Sequence, residues 1–314
     1  MSESNQDGMD RRGLLRCMGW AGAGAVYTLS GGVLSSVSLD AALAAGPRAA
    51  KTTPFTFLQI SDSHIGFDKA ANPNARGTFI EAVAKAKALP VKPAFVLHTG
   101  DISHLSKDAQ FDDAAGIISD IGLPIFYTPG EHDMLDEGGG AAFLAHFGKG
   151  TKGTGWYSFD HDGVHFVALV NVANLKPGGM AHIGDDQLAW LKDDLAAVSS
   201  STPVVVFAHI PLWTVYADWG WGTDDSAQAL GLLRRFGSVT VLNGHIHQIL
   251  QKVEGNISFH SARSTAYPQP APGAAPSPGP LKVPADQLHG VLGIRTANVV
   301  RGNAPIALID SSLV

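Results

Sequence analysis

The sequence predicts an α/β fold, and three observations carry the prediction. From Phe55 onward, short β-rich runs alternate with segments of helical periodicity. Five of the β-rich runs end in an Asp, Glu or His cluster beside a Gly or Pro. The chain has 314 residues, 45% hydrophobic and 16% charged, which suits one large domain with a buried core and argues against disorder.

The elements follow in order. Residues 55–60 read as a strand that ends at Asp62-Ser63-His64. Residues 78–89 form an Ala-rich helix with Phe79, Val83 and Ala86 on one face, and 94–98 a buried strand ending at Gly100-Asp101. A helix over 112–121 precedes a strand at 124–127, which runs into Gly130-Glu131-His132-Asp133. Residues 156–159 and 164–170 are paired strands joined by the turn His161-Asp162-Gly163. An amphipathic helix at 185–198 turns Leu188, Trp190, Leu191 and Leu195 to the core. An apolar strand at 203–208 ends at His209, a helix covers 226–236, and a strand at 239–242 ends at Gly244-His245-Ile246-His247. Strands at 250–253, 257–260, 291–296 and 306–309 complete the set, and the Pro/Gly/Ala-rich 268–284 reads as an extended surface loop.

The first 44 residues read as a leader outside the domain that spans 45–314. Asp10-Arg11-Arg12-Gly13-Leu14-Leu15-Arg16 resembles the twin-arginine export signature, and a Gly/Ala-rich, weakly apolar stretch leads to the small residues Ala42-Leu43-Ala44. A retained membrane anchor is the alternative, disfavoured by the many Gly and Ser residues. The resemblance implies a periplasmic or otherwise exported protein whose partner during export is the twin-arginine translocase. The one cysteine, Cys17, lies in this leader, so no thiol or disulfide remains after cleavage. The net charge of -6 gives no basic face for duplex nucleic acid.

In open α/β sheets, ligands bind at the carboxyl ends of strands, so distant segments deliver side chains to one rim. Asp62 and His64 stand at i and i+2 and share one side of an extended strand; His245 and His247 repeat the spacing. Gly100 lets the backbone bend sharply beside Asp101. Oxygen and imidazole donors without sulfur suit Zn, Mn, Fe or Ni, and Mg less well. Each cluster alone is weak, but five in order at strand ends are hard to obtain by accident.

That ordered set resembles the calcineurin-like metallophosphoesterases, from Phe55 to at least His247, with a layout closest to bacterial cyclic-nucleotide and glycerophosphodiester phosphodiesterases. The resemblance implies a four-layer α/β/β/α sandwich, two bound transition metal ions (Fe, Mn or Zn) and a small phosphorylated substrate. It implies Asp62, His64 and His247 on the first metal, Glu131, His209 and His245 on the second, and Asp101 bridging. It also implies that hydroxide activated by the metal pair attacks phosphorus while His132 contacts the phosphate and assists the leaving group. The family pattern has Asn where this chain has Glu131; a carboxylate there should hold the second metal more tightly, unless it swings away. The alternative function is a non-catalytic metal or ligand binder that keeps the fold, with Glu131 as its sign.

Other residues stand around this set. Asp133 either orients His132 or caps a helix. His104 reads as a neighbour of the site on Asp101's loop, whereas His98 reads as a hydrogen-bonded core residue and His161, His165 and His182 as surface or structural. The aromatic loop with Trp213, Tyr216, Trp219 and Trp221 is either a wall of the substrate pocket or packing within the domain.

Overall fold

The computed structural model describes residues 25–30, 33–38, 54–173, 175–176, 178–300 and 306–314. The chain divides into two compact units, Met1–Ala50 and Lys51–Val314. In the first, β1 (Ala25–Ser30) and β2 (Val33–Ser38) pair as an antiparallel hairpin. The twin-arginine segment and the expected cleavage region lie outside the described residues. No described helix is long and apolar enough to cross a membrane.

The second unit is built on two mixed sheets. One has the order β13-β12-β3-β4-β5, from β3 (Phe55–Ile60), β4 (Val96–His98), β5 (Ile125–Tyr127), β12 (Gly293–Val299) and β13 (Ala307–Ser312). The other has the order β10-β11-β9-β8-β7-β6, from β6 (Tyr157–His161), β7 (Val164–Ala168), β8 (Val204–Phe207), β9 (Val239–Asn243), β10 (Gln251–Glu254) and β11 (Ile257–Ser261).

Period-two alternation makes four layers of these sheets. Phe57 of β3, Leu97 of β4, Phe166 of β7 and Phe207 of β8 point inward and pack the two sheets together. Their neighbours point outward. Leu58, Ile60 and Val96 meet α1 (Ala75–Lys87) and α2 (Asp108–Ser119) through Phe79, Val83, Phe111 and Ile118. On the far side Val204, Val206 and Val241 meet α4 (Asp185–Ala196) and α5 (Ser226–Leu233) through Leu188, Leu191, Leu230 and Leu233; α3 (Ala141–Phe147) joins the first helix layer through Phe143. The expected α/β/β/α sandwich is therefore the observed one.

The strand ends matter most for function. β3, β4 and β5 run parallel, as do β7, β8, β9 and β11. Their carboxyl-terminal loops deliver Asp62 and His64, Asp101, Glu131, His209, and His245 with His247 to one place. Helix starts differ from expectation because polar residues begin them. The Asn74 side chain accepts from Gly77 N and starts α1 at Ala75, and α2 opens on Asp108 in its first turn.

Candidate metal centre

The backbone at this rim is held in an uncommon conformation. Asp62, His64, Asp101, His245 and His247 all have positive φ, between 41° and 67°, among only seven non-glycine residues with positive φ in the described chain. Such backbone costs about 1–3 kcal/mol per residue and persists where surrounding structure imposes it. Here the surrounding structure is the neighbouring strand-end loops: Asp62 N and His64 N donate to Gly100 O and Asp101 O, and His245 N donates to Asp62 Oδ1. Gly100 (φ 93°) is required as well, since a Cβ there would lie 2.5 Å from His209 Nδ1 and 2.7 Å from Gly130 N.

Seven expected donors converge in two groups. Asp62, His64 and His247 form the first: His247 Nε2 is 3.2 Å from Asp62 Oδ1 and 3.3 Å from His64 Nε2. Glu131, His209 and His245 form the second: Glu131 Oε2 is 2.9 Å from His209 Nε2, and Oε1 is 3.0 Å from His245 Nδ1. Asp101 Oδ2 stands 3.4 Å from both His64 Nε2 and His209 Nε2, between the groups.

The approach of these atoms is that of ligands rather than of hydrogen-bond partners. Glu131 Oε2, His209 Nε2, His245 Nδ1 and Asp62 Oδ2 are buried and have no aligned hydrogen-bond partner, although some lie within 3 Å of one another. Buried polar atoms left this way are costly unless a third body sits among them, and a cation in each group would satisfy all four. The tautomers agree. His209 Nδ1 donates to Thr99 O at 2.7 Å and His247 Nδ1 to Tyr267 O at 2.6 Å, which leaves both Nε2 lone pairs facing the centre. The donor set thus fits two cations.

Electrostatics point the same way. Burial opposes charge on Glu131, but His245 and His209 outweigh it and hold the carboxyl well below its usual range. Burial also opposes charge on His209, yet Asp101 and Glu131 raise it well above the ordinary imidazole value. For His64, burial and the neighbouring His132, His247 and His104 all act downward and keep the ring neutral, the form a metal needs. The carboxylates create a potential that draws positive charge to this point.

His132 sits at the edge of the cluster on a one-turn 3-10 helix, Glu131–Asp133. Its Nδ1 donates to His104 O at 2.8 Å, and the two rings stack at 4.7 Å with planes 16° apart. His104 Nδ1 in turn faces His64 Nδ1 at 3.4 Å, so His104 does touch the site. Asp133 does not reach the His132 ring. Its buried carboxylate accepts from Ile102 N, Ser103 N, Ser103 Oγ and Gly130 N at 2.8–3.0 Å, locking the loop of Asp101 to that of Glu131. The cap reading of Asp133 is thus the nearer one. His98 is a core residue bonded to Ser63 Oγ at 3.1 Å, and burial pushes its imidazole down to about 3.

Sequence reasoning missed Tyr267. Its hydroxyl lies 3.1 Å from His64 Nε2, its ring packs on His64 and His247, and its carbonyl fixes His247. The usable signal was β11, whose parallel pairing with β9 brings the following segment to the rim; nothing local marks the tyrosine.

A cavity of about 510 Å³ opens beside Glu131, His132 and His245. Trp219 and Trp221 line it, while Trp213 and Tyr216 do not, so part of the aromatic loop is pocket wall. The loop also packs within the domain: Trp219 and Trp221 bury themselves against Ile246.

A two-sheet sandwich with two groups of Asp, Glu and His donors at its parallel strand ends defines a hydrolase of the two-cation class. Residues 55–249 match the calcineurin-like phosphoesterase family, and the chain belongs to it. It is a metal-dependent phosphoesterase. It is 23% identical, over 67% of its length and 78% of the relative's, to a protein of Rhodopseudomonas palustris named a probable cyclic nucleotide phosphodiesterase. Its fold resembles a dimetal phosphatase from Danio rerio (TM-score 0.58, 14% identity, 82% of this chain and 99% of that one). It also resembles a purple acid phosphatase from yellow lupin, Lupinus luteus, seeds (TM-score 0.61, 14% identity, 90% and 54%).

Proposed function

We propose that the protein hydrolyses phosphodiesters in preference to phosphomonoesters. In this reading Asp62, His64 and His247 hold one cation, Glu131, His209 and His245 the other, and Asp101 lies between them; Fe, Mn and Zn suit the donors best. The observation that carries the preference is the inward turn of Glu131. Three carboxylates against two divalent cations leave one net positive charge, which a singly charged diester balances. With Asn at 131 the centre would carry two positive charges and suit a doubly charged monoester better. The non-catalytic alternative loses its ground, because Glu131 completes the donor set instead of breaking it.

The bound cations supply an activated water and charge for the phosphoryl oxygens. The chain's own groups do the rest. Its inward carboxylates set the charge of the floor. His132, with Nδ1 committed to the His104 carbonyl, keeps Nε2 for a phosphate oxygen or the departing alcohol. Burial opposes the charged form of this ring, but Asp101 and Glu131 outweigh it and raise its pKa. The name of the Rhodopseudomonas relative supports the diester reading, since a cyclic nucleotide is an internal, singly charged diester. The test compares bis(para-nitrophenyl) phosphate with para-nitrophenyl phosphate on metal-loaded protein. A higher kcat/KM for the monoester would sink the proposal.

Export through the twin-arginine translocase is part of the same proposal and rests on the sequence around Arg11 and Arg12, the weakly apolar stretch after it and Ala42-Leu43-Ala44. Replacing both with Lys should keep the protein in the cytoplasm; continued appearance outside the inner membrane would refute the route.

A further inference from the structure

The next inference rests on the phosphodiesterase reading and narrows its substrate class. Beside the donors the cavity is lined by the apolar Met134, Leu135, Leu175, Trp219, Trp221 and Pro280, with Gln269 and Tyr267 as polar neighbours. Among the described residues, Lys176 is the only Lys or Arg lining it, and its side chain is exposed. Leu135 is 57% exposed, and Leu281, next to Pro280, is 39% exposed. Single exposed leucines are ordinary surface. These two adjoin a cavity floored by the catalytic donors, so the apolar surface continues from the reaction centre out to solvent.

The wall is built into the fold. Trp219 meets Trp221 edge-on at 5.0 Å, and both pack against Ile246, the residue between His245 and His247. The Trp221 carbonyl accepts from Val215 N at 2.8 Å, closing the aromatic loop on itself. Pro278 and Pro280 bring the Pro-rich segment to the same cavity, and Gln269 Nε2 ties the start of that segment to His245 O at 2.8 Å. The two unusual segments of the sequence therefore meet at one place, anchored to the loop that carries two donors.

We infer that the substrate is an amphiphilic phosphodiester, with its phosphate at the donors and an apolar arm lying along this wall past Leu135. A heavily hydroxylated arm would set most of its polar groups against apolar side chains, with Lys176, Gln269 and Tyr267 the polar side chains beside the donors, at a cost in binding. Hydrolysis adds water across one P–O bond: phosphorus gains the water oxygen, the bridging oxygen leaves with a proton as an alcohol, and a monoester remains.

The test is a series of para-nitrophenyl alkyl phosphates (methyl, butyl and octyl) on the metal-loaded full chain, below micelle-forming concentrations. Apolar burial contributes about 0.8 kcal/mol per methylene, so kcat/KM should rise roughly fiftyfold from methyl to butyl. Leu135→Ser, at an exposed position that does not threaten folding, should lower the octyl-to-methyl ratio at least about threefold, and Trp219→Ala should lower it further. A flat series in the wild type, or faster turnover of a para-nitrophenyl nucleoside ester than of the butyl ester, overturns the inference and leaves the diesterase reading standing. Failure to hydrolyse any diester, bis(para-nitrophenyl) phosphate included, overturns both.

Discussion

Two histidines, both set between carboxylates, behave differently. His165 on β7 makes aligned hydrogen bonds with both ring nitrogens, to Asp160 Oδ1 at 2.8 Å and Asp194 Oδ2 at 2.9 Å. His209, at the end of β8, comes as close to Glu131 Oε2, at 2.9 Å, yet its Nε2 has no aligned partner. The first arrangement is complete as it stands: an imidazolium shared by two acids. The second is complete only with a cation among the atoms. Distance alone does not separate the two; the direction of the lone pairs and N–H groups does. The β6–β7 corner is thus a salt bridge, and the rim has the donors of a metal centre.

The largest test of that comparison is Asp101→Ala. Asp101 lies equally far from both groups, so its loss should remove both cations and cut activity by at least about a thousandfold. Elemental analysis and the melting temperature with and without chelator report the metal loss directly. Chelation should lower the wild-type melting temperature and leave that of the variant where it is. Retention of two equivalents of metal by Asp101→Ala would show that it does not bridge.

His132→Ala comes next. Its ring is fixed by a carbonyl and a stacked histidine and stands beside Asp101 and Glu131, outside the two donor groups assigned above. Turnover should fall by about two orders of magnitude while both metals stay bound. Loss of metal comparable to that in Asp101→Ala would make His132 a ligand and redraw the centre.

Glu131→Asn tests the charge argument. It removes one negative charge from the second group and leaves the first intact. The diester-to-monoester ratio of kcat/KM should fall by about tenfold or more, the size expected for one charge a few ångströms away in a partly wet site. The second metal should also dissociate more readily. An unchanged ratio with saturating metal would show that the carboxylate does not set the substrate's charge.

Much of this centre could be read from the sequence because strand-end ligands are local signals. Asp62-x-His64 and His245-x-His247 each need only a few neighbouring residues, and parallel strands bring their ends to one rim without further instruction. What could not be read is what loops distant in sequence impose on one another. The positive φ of Asp62 and Asp101, the clamp that Asp133 makes with Ile102 and Ser103, and the approach of Tyr267 all come from loops separated by tens to hundreds of residues. The helix Ala141–Phe147 was missed for another reason: seven residues between glycines carry too little periodicity to stand out. Glu131 lies between these cases. Its identity was plain, but whether it turned in or away depended on His209 and His245 being there to receive it.

The smallest expected effect belongs to the other histidine and supplies the control. Burial works against charge on His165, but its hydrogen bonds to Asp194 and Asp160 outweigh it and raise its pKa. Its folded pKa thus lies above the unfolded value of about 6.5. The stability this contributes is fully present below that value and is lost as pH rises through the folded pKa. Asp160 is exposed and its share is screened, so the effect rests mainly on the half-buried Asp194 and should amount to about 1 kcal/mol. The urea midpoint of the wild type minus that of His165→Gln should therefore shrink from pH 6 toward alkaline pH, as an order-of-magnitude window set by the imidazole. The same difference should be indifferent to chelator, because no cation is needed to complete the corner. A chelator-sensitive difference would mean that His165 communicates with the rim, and the division between a salt bridge and a metal centre would have to be drawn elsewhere.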